Sequence, residues 1–343
     1  MSQRRITIYD LARAMGISAS YVSRALNEHP SINPEVVAAV KKKAKELNFK
    51  LNSHAANLRQ GSSKTLGVIV PHINQSFFSE IIAGIEEICF EHNHSLIICQ
   101  THESFQRECL AVDTLVRQNV DCIILSVAAE TTTTEHLESI AQHNIPLIQI
   151  DRYLDQLNSC KVLNDNKKAA YDVMQSLFGQ GYERIAFLGG PTHLTTFKQR
   201  RDGFLQAWED SAFSNRTPLL FDDVFDLSIV TEVIDQLLRD ANRPDAIFTV
   251  SDHQSVAVLQ KAESMGIRVP QDLGIFGFAN ETFTAIMNPS LSSVDQKSKE
   301  LGIRAARVYF DDIRKNNGIP KINEVILETE LMTRQSSVRK HYM

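Results

Sequence analysis

The apolar positions of this chain follow two rhythms, and the change from one to the other divides it. Over the first fifty residues apolar side chains recur at helical spacing. Ile8, Leu11, Ala12 and Met15 stand at i, i+3, i+4 and i+7, one face of a helix for which Thr7 is the cap. Gly16 ends that helix, because glycine enters the left-handed conformation without penalty. Ser18 caps a second helix whose inward residues are Val22, Ala25 and Leu26, while Ser20 and Arg24, four apart, share a face that the core does not use. A third helix opens at Asn33-Pro34-Glu35 and buries Val36, Val37, Val40, Ala44 and Leu47, leaving Lys41, Lys42, Lys43 and Lys45 outward or at its edges. Three short helices with a three-residue turn between the first two predict a helix-turn-helix module. Small Ala19 and Ser20 keep the start of its second helix slim enough for a major groove, with Arg24 in reach of a guanine edge or a phosphate.

From Leu66 the rhythm changes. "LGVIVP" (66–71), "SLIICQ" (95–100), "DCIILS" (121–126) and "IPLIQID" (145–151) are short, almost wholly apolar strands, separated by helical stretches near 77–92, 105–118 and 133–143. A second set follows: "KVLN" (161–164), "RIAFLGG" (184–190), "DAIFTV" (245–250) and "LGIFGF" (273–278), with helices near 167–179, 198–209, 228–239 and 252–265. Such alternation predicts two doubly wound parallel sheets, with strands buried on both faces. Ligands of open α/β sheets bind beyond the carboxyl ends of the strands, so a cleft between two such halves is the expected site. The residues at those ends include Phe77 and Phe78 after the first strand, Ser126 after the third, and Asp151 with Arg152 after the fourth.

Between the two regions lies "NSHAANLRQGSSK" (52–64), whose helix-forming part is far shorter than the roughly 12–15 residues an isolated helix needs. It is expected to fold only when something binds it. Leu58 is its one large apolar residue.

Charge sharpens the division. Residues 1–60 carry ten Lys/Arg against four Asp/Glu, a net of +6, whereas the remainder carries 26 against 37, a net of −11. A basic head on an acidic body suits nucleic-acid binding at one end, with a merely solvated basic face as the alternative. The five cysteines (89, 99, 109, 122, 160) form no CxxC pair and sit mostly in apolar runs, which reads as reduced thiols in a cytoplasmic protein, with no metal site. The amino terminus passes from Met-Ser-Gln-Arg-Arg straight into an amphipathic pattern, so neither a signal peptide nor a membrane partner is expected. No GxGxxG follows a strand, and no Walker lysine, HExxH or GxSxG occurs, so catalytic residues, cofactors and enzyme activity are not expected.

"TIYDLARAMGISASYVSRALN" with "INPEVVAAVKKKAKELNFKLNSHAANLRQG" resembles the DNA-binding head of the lactose/galactose repressor (LacI/GalR) family, and the likeness continues through most of the chain. The resemblance implies an all-α helix-turn-helix head (1–51), a hinge helix and linker (52–64), and a two-lobed, periplasmic-binding-protein-like body (65–343). Its N-subdomain would span about 65–160 and 295–320, and its C-subdomain about 161–290 and 321–340. It implies base contacts at Ala19, Ser20 and Arg24, and backbone contacts at Thr7, Tyr9, Ser18, Tyr21 and Asn27, where Tyr21 departs from the usual small hydroxyl residue. In the hinge it implies a minor-groove wedge at Leu58, with Ala55 allowing close approach and Arg59 near the backbone. For the cleft it implies Phe77, Phe78, Ser126, Asp151, Arg200, Asp252 and Asn280 as effector contacts. The family aspartate directly after Gly-Phe is replaced by Ala279, followed by Asn280 and Glu281. The resemblance further implies a homodimer on a palindromic double-stranded operator, controlled by a sugar-like small molecule, and most simply a repressor. A solute-binding protein of periplasmic type and a protein–protein interaction module are the alternatives.

Overall fold

The first helix, α1 (Ile8–Met15), begins with a reciprocal cap in which Thr7 Oγ accepts the Asp10 N–H while the Asp10 carboxylate accepts the Thr7 N–H. Gly16 ends it at φ 64°, and Ser18 starts α2 (Ala19–Leu26) by accepting the Tyr21 N–H at 3.2 Å. After α3 (Pro34–Glu46), one core serves all three helices: Leu11, Val22, Ala25 and Val40 are fully buried, joined by Ala12, Ile32 and Ala44. Val36, Val37 and Leu47, expected inside, are half-buried at its margin.

This computed structural model describes residues 6–49, 62–157 and 159–339. The chain forms two units, Met1–Ser63 and Lys64–Met343. The hinge residues Ala55, Leu58 and Arg59 lie outside the described residues.

The second unit contains two six-stranded sheets. The first is built from β1 (Thr65–Val70), β2 (Ser95–Gln100), β3 (Cys122–Leu125), β4 (Leu147–Ile150), β5 (Cys160–Asn164) and β11 (Glu324–Leu327), in the order β11-β5-β4-β3-β1-β2, all parallel. The second comprises β6 (Ile185–Leu188), β7 (Leu219–Phe221), β8 (Ala246–Thr249), β9 (Gly274–Phe278), β10 (Ser292–Asp295) and β12 (Glu330–Met332), in the order β12-β10-β9-β8-β6-β7. Only β12 runs antiparallel, against β10. Central strands such as β1, β3, β8 and β9 are buried along their whole length, as apolar runs between two helical layers must be.

Helices α4 (Ser76–Glu91), α5 (Phe105–Arg117) and α6 (Glu138–Gln142) connect the strands of the first lobe, with α11 (Ser298–Arg307) packed on α4. In the second lobe lie α7 (Asn166–Gly179), α8 (Thr195–Glu209), α9 (Leu227–Arg239) and α10 (Asp252–Ser264). Two helix pairs touch backbone to backbone through glycine. A Cβ on Gly84 would overlap the Lys299 carbonyl oxygen, one on Gly302 that of Ile81, and one on Gly203 that of Lys167.

Two expectations are corrected here. Residues 161–164 belong to the first lobe, because β5 pairs with β4 rather than opening the second sheet. Residues 321–340 do not all belong to the second lobe: β11 joins the first sheet and β12 the second. The return to the first lobe comes after β10, with α11, near the limit of about 295 that the resemblance implies. The subdomain limits shift accordingly.

The chain therefore crosses between lobes three times, at 164–166, 295–298 and 327–330. Buried Asn164 ties the crossings together: its amide donates to the Gln296 carbonyl at 3.0 Å and the Leu327 carbonyl at 3.4 Å, while the Gln296 side chain donates back to Asn164 Oδ1 at 3.1 Å.

Among the described residues no helix is long and apolar enough to cross a membrane, and no cluster of His, Cys, Asp or Glu could hold a metal ion. All five cysteines are free, and burial pushes the Cys89 thiol up to about 12.

Candidate functional site

Helix-turn-helix geometry puts one side of α2 on the core and the other outside. Ser18, Ser20, Arg24 and Asn27 are exposed, Ala19, Tyr21 and Thr7 are half-buried, and Tyr9 is 70% exposed. The Arg24 guanidinium lies 5.7 Å from the Tyr21 ring centroid, so the tyrosine steadies the arginine that could reach a base. Ser18 and Ser20 hydroxyls are 3.0 Å apart on the same slim end. The expected contacts thus form one small, polar, singly cationic face. Lys41 and Lys43 point elsewhere and are paired with Glu28 and Glu46.

In the body, a cavity of ≈ 540 Å³ opens between the lobes at the carboxyl ends of the strands, a size suited to a small metabolite. Phe77, Phe78, Asp151, Arg200 and Asp252 line it, as expected. Phe77 and Phe78 meet edge to face at 4.9 Å, and both reach the wall. Ser126 and Asn280 do not. Ser126 is fully buried, with an Oγ that has no hydrogen-bond partner among the described residues. Asn280 Oδ1 accepts from Arg334 Nη2 at 2.7 Å, which holds the side chain behind the wall.

Arg200 lies on α8 with its guanidinium 3.6 Å from the Phe278 ring centroid, Nε donating to Asn166 and Nη1 to the Val250 carbonyl. Burial pulls it down to about 9, against the attraction of Asp151, so it stays charged at neutral pH. Asp151 sits at φ 61° at the end of β4, with Oδ1 lacking a partner among the described residues. Burial raises its carboxyl, partly offset by Arg152 and Arg200.

Other wall residues come from far apart in sequence. Arg152 pairs with both oxygens of Glu103 at 2.9 and 2.7 Å, inside a cage formed by Phe78, Phe197 and Phe225. Burial alone would raise Glu103, but the Arg152 charge and hydrogen bonds from His72, Arg152 and the Ala129 N–H hold it at about 2. The lobes also touch directly. Thr196 Oγ1 donates to the Asp151 carbonyl at 2.7 Å, and His193 Nε2 lies 2.7 Å from the Ala129 carbonyl oxygen. Glu281, from the loop after β9, accepts the Ser76 N–H at 2.9 Å and the Phe77 N–H at 3.3 Å, and also takes the Ser76 hydroxyl. Arg152 and Glu281 were visible at strand ends in the sequence, but no local signal marked their partners.

Both Asp252 oxygens are engaged by the protein: Oδ2 accepts the Glu281 N–H at 2.8 Å and Oδ1 the Ser293 hydroxyl at 2.7 Å. Asp252 therefore fixes the Glu281 loop. Burial pushes its carboxyl up to about 6 despite these bonds. Its folded value exceeds the ordinary one, so the native state holds the extra proton between about pH 4 and 6. Stability from this group is present below that window and falls by about 3 kcal/mol as pH rises through it. Glu103 acts oppositely, losing its contribution as pH falls below the usual carboxylate range. Denaturant unfolding of wild type and Asp252→Asn from pH 4 to 7 tests the first statement. Wild type should lose stability relative to the variant as pH rises, and a flat difference contradicts it.

The fold and both sites define a DNA-reading head joined to a ligand-receptor body, and comparison with known proteins agrees. Residues 7–52 match "Bacterial regulatory proteins, lacI family", and residues 174–337 match "Periplasmic binding protein-like domain". The HTH-type transcriptional regulator DegA of Bacillus subtilis is 31% identical over 335 residues, covering 97% of this chain and 98% of that protein. Catabolite control protein A of Priestia megaterium is 28% identical, covering 90% and 93% respectively. In fold, the chain resembles the lac repressor dimer bound to operator and the anti-inducer ONPF (TM-score 0.83, 19% identity, 98% of this chain and 100% of that one). It also resembles a transcriptional regulator CelR–cellobiose complex (TM-score 0.71, 23% identity, 97% and 100%). The chain belongs to the lacI family of bacterial regulatory proteins. It is a DNA-binding transcriptional regulator.

Proposed function

We propose that the chain acts in the cytoplasm as a homodimeric, operator-binding regulator, most simply a repressor, whose affinity for a palindromic site is set by a small hydroxylated effector in the interlobe cavity. No reaction is assigned to that cavity. The observation that carries the reading is the cavity itself, walled by both lobes and adjoining three tied crossings, in a chain whose head carries an exposed reading helix. Effector binding would shift the population of lobe arrangements, and thereby whether two hinge segments can pair and fold on DNA. Dimerisation is supported by apolar side chains around the free edge of the first sheet, where Phe90 is 78% and Ile98 46% exposed. Two heads one helical turn apart would read an inverted repeat, with Arg24 and Ser20 at bases and Thr7, Tyr9, Ser18, Tyr21 and Asn27 at the backbone.

Selection of duplexes from a randomised inverted-repeat pool, followed by gel shift with and without sugars, tests this. Specific binding should fall steeply with salt and change in the presence of one or more sugars. Absence of any preference over scrambled duplex ends the proposal. For a sugar that responds, Asp151→Asn should raise the half-effective concentration about tenfold or more, because the buried carboxylate between Arg152 and Arg200 no longer holds the two guanidinium groups in place.

A further inference from the structure

Lys64 is the first residue of the receptor unit, and its backbone is left-handed, at φ 52°. A lysine keeps that conformation only where its surroundings over-determine it. Here they do. The Lys64 N–H donates to Asp121 Oδ2 at 2.9 Å, and the Lys64 carbonyl accepts the Ser95 N–H at 2.8 Å. The Asp121 N–H donates to the carbonyl of the next residue, Thr65, also at 2.8 Å. Ser95 opens β2 and Asp121 immediately precedes β3, the two neighbours of β1 in the sheet. The start of β1 is therefore gripped from both sides, where residues 52–63, the stretch leading from the reading head, join it. We infer that Asp121, backed by His94, is a positioning residue for operator recognition: it clamps Lys64 in the turn that aims the chain joining receptor and reading head, although neither residue lines the cavity.

The side chains of Asp121 and His94 are only 8% and 1% exposed. His94 Nε2 lies 3.4 Å from the same carboxylate oxygen that holds Lys64, and its Nδ1 lies 2.9 Å from the His92 carbonyl oxygen. Rings enclose the pair: His94 meets Phe310 edge-on at 4.8 Å and Tyr309 at 6.4 Å, while His92 stacks on Phe310 at 4.0 Å. A parallel ladder needs neither a left-handed residue at its start nor a carboxylate beside it. Burying a carboxylate is costly unless it is paired and hydrogen-bonded, and what this one holds is an N–H of the incoming chain.

The same rings lead back to the crossings. Tyr309 and Phe310 belong to a π-helical turn, Val308–Ile313, that continues α11, and α11 starts directly after the crossing at 295–298. One helical rod thus runs from a crossing to the back of the clamp. A turn of one lobe on the other, passed along that rod, would reach Lys64 and re-aim the chain beyond it. The inference rests on the operator reading above: two heads must meet one duplex in register, so an error of direction at each tether is felt twice.

The test compares pairs of full-length variants, all at a temperature where circular dichroism shows them folded. Glycine enters the left-handed region freely, whereas β-branched valine is strongly disfavoured there. Lys64→Gly and Lys64→Val remove the same charge, so any lost phosphate contact is lost by both. On the selected inverted repeat, Lys64→Val should bind about tenfold or more weakly than Lys64→Gly, with equal binding to scrambled duplex. Asp121→Ala should likewise fall about tenfold below Asp121→Asn, whose side-chain oxygen still accepts the Lys64 N–H. Trypsin gives a readout independent of DNA: cleavage after Lys64 should be about fivefold faster or more in Asp121→Ala than in wild type. If Asp121→Ala does not fold, the Lys64 pair carries the test alone. Equal specific affinities within each pair, or an unchanged rate of cleavage, overturn this inference and leave the operator reading standing if wild type is selective. A wild type that prefers no duplex overturns both.

Discussion

Gly84→Val is expected to destabilise the body by about 3 kcal/mol or more, lowering Tm by roughly 6–12 °C. Gly84 faces α11 where a Cβ would collide with the Lys299 carbonyl oxygen and crowd the Ile303 N–H. Gly302, on the other helix, meets the Ile81 carbonyl in the same way. Both obstacles are helical backbone, so neither can turn aside as the tip of a long side chain would. The helices must part, and parting them unpacks Ile81, Ile85, Leu301 and Ala305 from one core. Gly179→Ala is the control. Gly179 ends α7 with no atom near its missing Cβ and no left-handed backbone, so alanine there should be neutral or stabilise by up to about 1 kcal/mol. Equal melting temperatures for Gly84→Val and wild type would mean that the two helices are not in this close register.

Arg24→Ala should lower the affinity of the dimer for its inverted repeat by about 30-fold to 20,000-fold, from about 1–3 kcal/mol in each of two half-sites. The reason is geometric. Arg24 is the one long cationic side chain on the exposed side of α2, four residues from the small Ser20 and steadied by Tyr21. Binding to scrambled duplex should fall only a few-fold, because the loss concerns base reading and not total charge. Titrations at two salt concentrations separate the roles. Equal losses on specific and scrambled DNA, with a shallower salt slope, would reassign Arg24 to a phosphate.

Much of this was legible in the sequence, for physical reasons that also explain the gaps. The head was readable because its caps are local: Thr7, Gly16, Ser18 and Pro34 each act within one helical turn. Central strands were readable because burial on both faces forces continuous apolar runs. Polar β10 and three-residue β7 lack such runs and left no signal. The strand "KVLN" was assigned to the wrong lobe because β4 and β5 are parallel neighbours without a helix between them, which breaks the alternation. The switch of sheet between β11 and β12 occurs at Glu328-Thr329, with neither glycine nor proline to announce it.

In the cavity, Phe77, Phe78 and Asp151 follow from position at strand ends, whereas Arg200 and Asp252 follow only from the family resemblance, and Asp252 supports the wall instead of offering its oxygens. The pairing of Glu103 with Arg152 and the docking of Glu281 on α4 span 49 and 205 residues. No period or local motif encodes contacts at such separations.

The knot of amides at Asn164, Gln296 and the Leu327 carbonyl has a mechanical meaning. Three tethers fastened at one point resist separation and sliding of the two halves of the receptor and leave rotation about that point as the easier motion. Whatever chemistry occupies the pocket would then be felt mainly as a change in how the halves are turned. The lining could be rewritten for a new metabolite without redesigning the output, because the lever it moves would stay the same.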